Sequence, residues 1–241
     1  MVGLRDRVVV VVGRGSGIAR AVALAARDAG ARVVVAGRDR QKLADAYQGE
    51  AGIAAETVDL TDEASIAALA ERLRAGGGVD HVVSTGSVRA KGRVADLDRE
   101  TLRLSFDTKV IGPIMLAKHL APLVARDGSF VLFSGVSAVK TRVDWLGVAT
   151  TNGAVDSLAR SLALELAPIR VNAISPGTID SGAWDGLGAE GKAELFDTLR
   201  ATLPARRVGG TEDIAHGVLF ALTNSFLTGV TLHIDGGEPL T

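Results

Sequence analysis

The chain has 241 residues, 47% of them hydrophobic, a formal net charge of −1 and no cysteine. A mildly positive mean hydropathy at this length suits one α/β domain with a large core, and near-zero charge without a basic run argues against nucleic acid or a membrane surface as the main partner. The lack of cysteine excludes disulfides, thiol nucleophiles and thiolate metal sites, the scattered histidines offer no ligand spacing, and no apolar run approaches the ~20 residues of a membrane span, so the expectation is a soluble, cytoplasmic, metal-free protein with a small-molecule partner.

The start, Met1 to Asp6, runs straight into five consecutive valines, Val8 to Val12. All are β-branched and too few for a helix, so they predict a strand buried on both faces, in the middle of a parallel sheet. A glycine turn follows, Gly13-Arg14-Gly15-Ser16-Gly17, and then a segment of helical composition from Ile18 to Asp28. Free N–H groups and the macrodipole at a helix start facing such a turn favour phosphate. Further strands are predicted at Arg32 to Ala36, which leads into Gly37-Arg38, and at Ile53 to Val58, which leads into Asp59-Leu60. Strand, helix and strand at this spacing form the unit that holds the adenosine half of a dinucleotide.

A helix near Glu63 to Ala75 then breaks at three glycines, and a fourth strand, Val79 to Ser84, runs into Thr85-Gly86. One long helical region is predicted from about Asp98 to Ala125, with a strand at Ser129 to Phe133 after it. The segment Asp144 to Ala167 reads as an amphipathic helix, with Val155, Leu158, Leu162 and Leu166 on one face and Ala154, Ser157 and Ser161 on another. A strand at Ile169 to Ile174 precedes Pro176-Gly177-Thr178-Ile179. From Gly182 to Leu203 the chain is glycine-rich with apolar residues at partly helical spacing, which suits a lid over a site or a packed surface helix. A last helix, Asp213 to Leu222, and a last strand, Val230 to Ile234, complete the alternation.

Read together, these pieces resemble the short-chain dehydrogenase/reductase family. The matching motifs are Gly13-x-x-x-Gly17-Ile18-Ala19, Asp59-Leu60, Arg170-Val171-Asn172, Pro176-Gly177-x-Ile179, the run from Pro204 to Gly209 with Glu212-Asp213-Ile214-Ala215, and Leu227-Thr228-Gly229 through Asp235-Gly236-Gly237. They span the chain in family order. The resemblance implies a single Rossmann-type doubly wound parallel sheet of about seven strands with helices on both faces, filling residues 1–241 with a substrate lid near 180–205. It also implies a nicotinamide cofactor across the carboxyl ends of the strands, and a homo-oligomer, commonly a tetramer. Cofactor contacts are expected from Gly13, Arg14, Gly15, Ser16, Gly17, Ile18, Arg38, Asp59, Leu60, Ser84, Thr85, Gly86, Pro176, Gly177 and Ile179. Because Gly37-Arg38 stands where an acidic residue would hold the ribose of NAD, and Arg14 sits in the turn, the expected cofactor is NADP(H).

The reacting half of the site departs from the family. The resemblance places the tyrosine position on Val148, the lysine position one helical turn later on Asn152, the serine position on Gly135 and the asparagine position on Lys109. Tyr47 is the only tyrosine and lies in the adenosine half. Lysine and asparagine have exchanged places, so Lys109 could enter the same pocket from the opposite wall, with desolvation lowering its pKa toward proton transfer. Lys109, Asn152, Ser137 and Thr151 are the candidate catalytic residues. Two functions fit: an atypical oxidoreductase acting on a carbonyl or imine, or a non-catalytic NADP(H)-binding protein serving as sensor or structural partner. Lys140, Thr141 and Arg142 are candidates for an anionic substrate group, and Trp184, Leu187 and Phe196 for an apolar wall.

Overall fold

The valine run forms β1 (Val8–Val12), buried throughout, in a computed structural model that describes residues 3–241. Met1 and Val2, the head of the expected run-in to this strand, lie outside the described residues. β1 pairs in parallel with β2 (Arg32–Gly37) on one side and with β4 (Val79–Ser84) on the other. With β3 (Ile53–Thr57), β5 (Val124–Phe133), β6 (Arg170–Pro176) and β9 (Thr231–Ile234) they make a seven-stranded sheet of order β3-β2-β1-β4-β5-β6-β9, parallel at every step. A separate two-stranded pair joins β7 (Ile179–Asp180) to β8 (Gly209–Gly210).

Alternate valines of β1 serve opposite faces, as the period of a strand requires. Val9 and Val11 pack with α1 (Gly17–Asp28) and α8 (Thr211–Thr223). Val10 and Val12 pack with α3 (Glu63–Ala75), α5 (Gly112–Leu120) and α6 (Leu146–Glu165). Each buried valine contributes about 1.5–3 kcal/mol relative to exposure, so the sheet centre is rigid and its carboxyl edge is a fixed platform. The chain leaves β1 for β2 on one side and β4 lies on the other, which opens a crevice at that edge.

The long helix expected from Asp98 to Ala125 is divided. It comprises α4 (Arg99–Phe106), one turn of wider π geometry at Asp107–Ile111, and α5, and β5 begins already at Val124. Pro113 has no N–H to return to the carbonyl of Lys109 four residues earlier, and the backbone widens there. The helix read from Asp144 is α6, which begins at Leu146. The remaining helices are α2 (Arg40–Ala46) and α7 (Gly188–Thr202), the latter within the segment read as a lid.

Candidate active site

The glycine turn after β1 is held in a conformation that side chains would spoil. Gly17 has φ +56°, and a Cβ there would stand 2.6 Å from the carbonyl oxygen of Ser181; one at Gly13 would stand 2.2 Å from Thr85 Oγ1. Ser16 caps α1 with extended backbone and no side-chain hydrogen bond, so the first N–H groups of the helix remain open to an anion. Arg14 and Arg38 are exposed beside it, and neither has a hydrogen-bond or ion-pair partner among the described residues. Asp39, which follows Arg38, is occupied: its carboxylate accepts from the Lys42 backbone and pairs with the Lys42 ammonium.

A cavity of about 1040 Å³ runs along the carboxyl edge of the sheet. The half expected to hold adenosine takes in Gly13, Arg14, Gly15, Ser16 and Ile18 from the turn, Arg38 after β2, and Asp59 and Leu60 after β3. Thr85 and Gly86 after β4, and Pro176, Gly177 and Ile179 after β6, continue the wall. Two of the expected residues stand behind that wall. Gly17 packs on Ser181, and Ser84 is buried within β4 between Val12 and Leu132, its hydroxyl without a partner. One oxygen of Asp59 accepts from the backbone and hydroxyl of Thr61, leaving the other free.

Lys109, Asn152, Ser137 and Thr151 all reach the same cavity, together with Val148 and Gly135. The π turn delivers Lys109, whose ammonium donates to the Ser134 carbonyl at 3.1 Å and has no carboxylate partner among the described residues. Burial, with the neighbouring Arg89 cation, lowers its pKa from 10.5 to about 7. Asn152 is buried; its amide donates to Ser137 Oγ at 2.7 Å and to the Gly135 carbonyl at 3.3 Å. Because that contact occupies an acceptor lone pair of Ser137, the Ser137 hydroxyl hydrogen is free to point elsewhere. Asn152 Oδ1 is buried without a partner, an acceptor that a ligand hydroxyl would satisfy. Gly135 explains how the amide fits, since a Cβ at 135 would stand 2.8 Å from Asn152 Nδ2. Thr151 is on the wall, but its hydroxyl turns back to the carbonyls of Gly147 and Val148. Tyr47 is buried in the core beside the glycine turn, and burial pushes its pKa up to about 12.

Sequence reasoning named Trp184 and Arg142 but missed Trp145 and Lys91, which meet them. Trp145 and Trp184 stack with ring centroids 6.2 Å apart, and both line the cavity. Lys91 sits over Trp145 at 4.6 Å and over Trp184 at 5.6 Å, while Arg142 lies against Trp145 at 4.7 Å. Of the expected apolar wall only Trp184 lines the cavity; Phe196 is the buried residue of α7, and Leu187 is exposed. Lys140 is not free for an anion, because its ammonium donates to the Glu238 carbonyl and the Thr241 hydroxyl. Glu238, also missed, is buried and accepts from Arg142 at 3.0 Å and from the Thr178 backbone at 2.7 Å. It ties the C-terminus to the turn after β6. The signal for the aromatic pair was present, since these are the only two tryptophans; nothing in the sequence marks Glu238.

A parallel sheet in this order, with a cavity at the switch between β1 and β4, defines a Rossmann-type domain. The family model described as enoyl-(acyl carrier protein) reductase matches residues 12–238. A short-chain dehydrogenase/reductase, ucsE of Acremonium sp, is 34% identical over 98% of this chain and 96% of its own. A small-chain dehydrogenase solved in complex with NADPH superposes with a TM-score of 0.84 at 34% identity, covering 98% of this chain and all of that one. The MalC reductase/Diels-Alderase of Malbranchea aurantiaca gives 0.91 at 26% identity, covering 99% and 98%. The chain belongs to the short-chain dehydrogenase/reductase family. Among the described residues no helix is long and apolar enough to cross a membrane, and no cluster of three His, Asp or Glu could hold a metal ion.

Proposed function

We propose that the protein is an NADP(H)-dependent oxidoreductase that acts on a carbonyl or imine carbon of a small molecule, with Lys109 in place of the family's tyrosine. The observation that carries this reading is the ammonium of Lys109 in the same cavity as the glycine turn, unpaired and with a pKa near 7.

The residues present fit the cofactor. The open N–H groups of α1 suit its pyrophosphate, Arg14 and Arg38 suit a 2′-phosphate in forked, charge-assisted contacts, and the unpartnered Asn152 Oδ1 suits a ribose hydroxyl. When bound, the cofactor supplies or accepts the hydride. The protein's part is to orient and to manage the proton. Ser137, pinned by Asn152, directs its hydroxyl at the substrate heteroatom; Lys109, held at the Ser134 carbonyl, carries a proton that near neutral pH can be given up or taken back. Trp184, from the segment preceding α7, closes on Trp145 and keeps water from the reacting atoms. An imine that is already protonated needs the acid least. A general acid is worth about 10²–10⁴-fold, so an enzyme on this plan is slow on ketones and faster on cationic C=N bonds.

Titration with NADPH and NADH tests the cofactor, and NADPH oxidation with a panel of ketones and cyclic imines tests the chemistry. Tight NADPH binding, with turnover that falls in Lys109→Met, is the expected result. Equal affinity for the two cofactors would refute the role of Arg14 and Arg38, and unchanged turnover in the variant would refute that of Lys109.

A further inference from the structure

Two cations, Lys91 and Arg142, lie against the stacked tryptophans, and a third, Arg89, lines the cavity beside them. Partial desolvation and the neighbouring Arg89 and Arg142 cations lower the pKa of Lys91. Nearby carboxylates are already committed. Glu238 bonds one edge of the Arg142 guanidinium, Asp144 pairs with Arg93, and Asp180 and Asp185 share Lys192. Among the described residues neither Arg89 nor Lys91 has an ion-pair partner. The aromatic rings hold the cations in place, but a ring face is a weak counterion. Like charges gathered beside a cavity repel, and a bound anion converts that repulsion into attraction.

Arg89 lines the first cavity, and the Arg14 cation beside the glycine turn acts on it. Lys91 and Arg142 flank Trp145 at the other end, where an incoming molecule would enter. A second cavity, of about 600 Å³, shares Arg142 and Trp145 with the first and is walled by Val94, Val143 and Leu146. Polar recognition and apolar space therefore meet at one tryptophan.

We propose that the substrate is a carboxylate with an apolar body, its carboxylate held between Lys91 and the free edge of Arg142 and its body against Trp145 and Trp184. A monoanion is the match, because Glu238 already takes part of the Arg142 charge. This assignment rests on the oxidoreductase reading for the identity of the bound molecule as substrate, and it is tested without turnover.

The two tryptophans are the only ones in the chain, so intrinsic emission reports this site alone. The probes are cyclohexanecarboxylate and its uncharged isostere cyclohexanecarboxamide, titrated into the full chain with and without saturating NADP+, whose own binding is measured separately by calorimetry. The expected result is a saturable emission change with the carboxylate, binding of the carboxamide weaker by about tenfold or more, and loss of that preference in Lys91→Met with NADP+ affinity unchanged. Lys91 is exposed, so its replacement spares the fold. Equal binding of acid and amide overturns the proposal, as does a preference that survives in both Lys91→Met and Arg142→Gln. Displacement of the carboxylate by NADP+ overturns it too, because the anion would then occupy the cofactor's phosphate site. Carboxylate selectivity in a protein that fails to bind NADP+ would refute the cofactor assignment while supporting this one.

Discussion

Lys109→Met isolates the consequence of placing an ammonium in the cavity. The native pKa of about 7 lies below the unfolded value of 10.5, so between these pH values the unfolded chain holds a proton that the folded chain has released. Stability contributed by this group therefore rises with pH across that window, and the penalty for burying the charge is fully present below pH 7. The shift sets an upper bound of about 5 kcal/mol. Water in the open cavity screens the charge, and Met loses the hydrogen bond to the Ser134 carbonyl, so we expect Lys109→Met to exceed the wild type by about 1–3 kcal/mol at pH 6. That margin shrinks or reverses toward pH 10, where the wild-type folded state carries a neutral amine. Urea unfolding of both proteins at pH 6, 8 and 10, without cofactor, measures it. A stability difference that does not change with pH would refute the argument that Lys109 is desolvated, and with it the basis for using it as an acid near neutrality.

Arg38→Glu should weaken NADPH binding by about 10–100-fold, because a charge-assisted pair is replaced by repulsion, while NADH binding holds or improves; calorimetry with both cofactors decides it. Glu238→Gln keeps an acceptor for the Thr178 backbone but removes the charge from Arg142, and should cost about 1–3 kcal/mol in urea unfolding; no loss would mean that Glu238 is not the tie between the C-terminus and the site. Gly135→Ser should cost about 1–3 kcal/mol because its Cβ meets Asn152 Nδ2 at 2.8 Å, although the extended backbone at 135 accepts any residue. Combining it with Asn152→Ala should recover at least ~1 kcal/mol in a double-mutant cycle, and strict additivity would show that the two positions do not share one space.

The fold and the glycine-turn wall of the cavity were legible because their signals are local. Five valines state a buried strand, and the glycines between Gly13 and Gly17 state a turn, each within a few residues. The π turn was not legible: a reading that assumes a constant helical period carries the pattern of Asp98 to Ala125 through Pro113, and the backbone departs from that period at the turn that carries Lys109. The pairings within the closing wall were hidden for another reason, although Trp184 and Arg142 were named individually. Lys91, Trp145 and Trp184 come from separate connections, and Arg142 meets Glu238 across 96 residues, distances over which no periodicity operates. The losses at the reacting positions show the same limit most clearly. In the sequence, Gly135, Val148, Asn152 and Lys109 read as four separate departures from a family pattern. In space three of them are linked: the missing side chain at 135 makes room for the Asn152 amide, that amide orients Ser137, and Ser134 beside them holds the Lys109 ammonium. Relaxed selection would remove groups independently and leave holes. Here the Asn152 amide fills the space left at Gly135 and bonds Ser137, and Lys109, though without a carboxylate, donates to the Ser134 carbonyl, an arrangement that supports the proposed reading of the site.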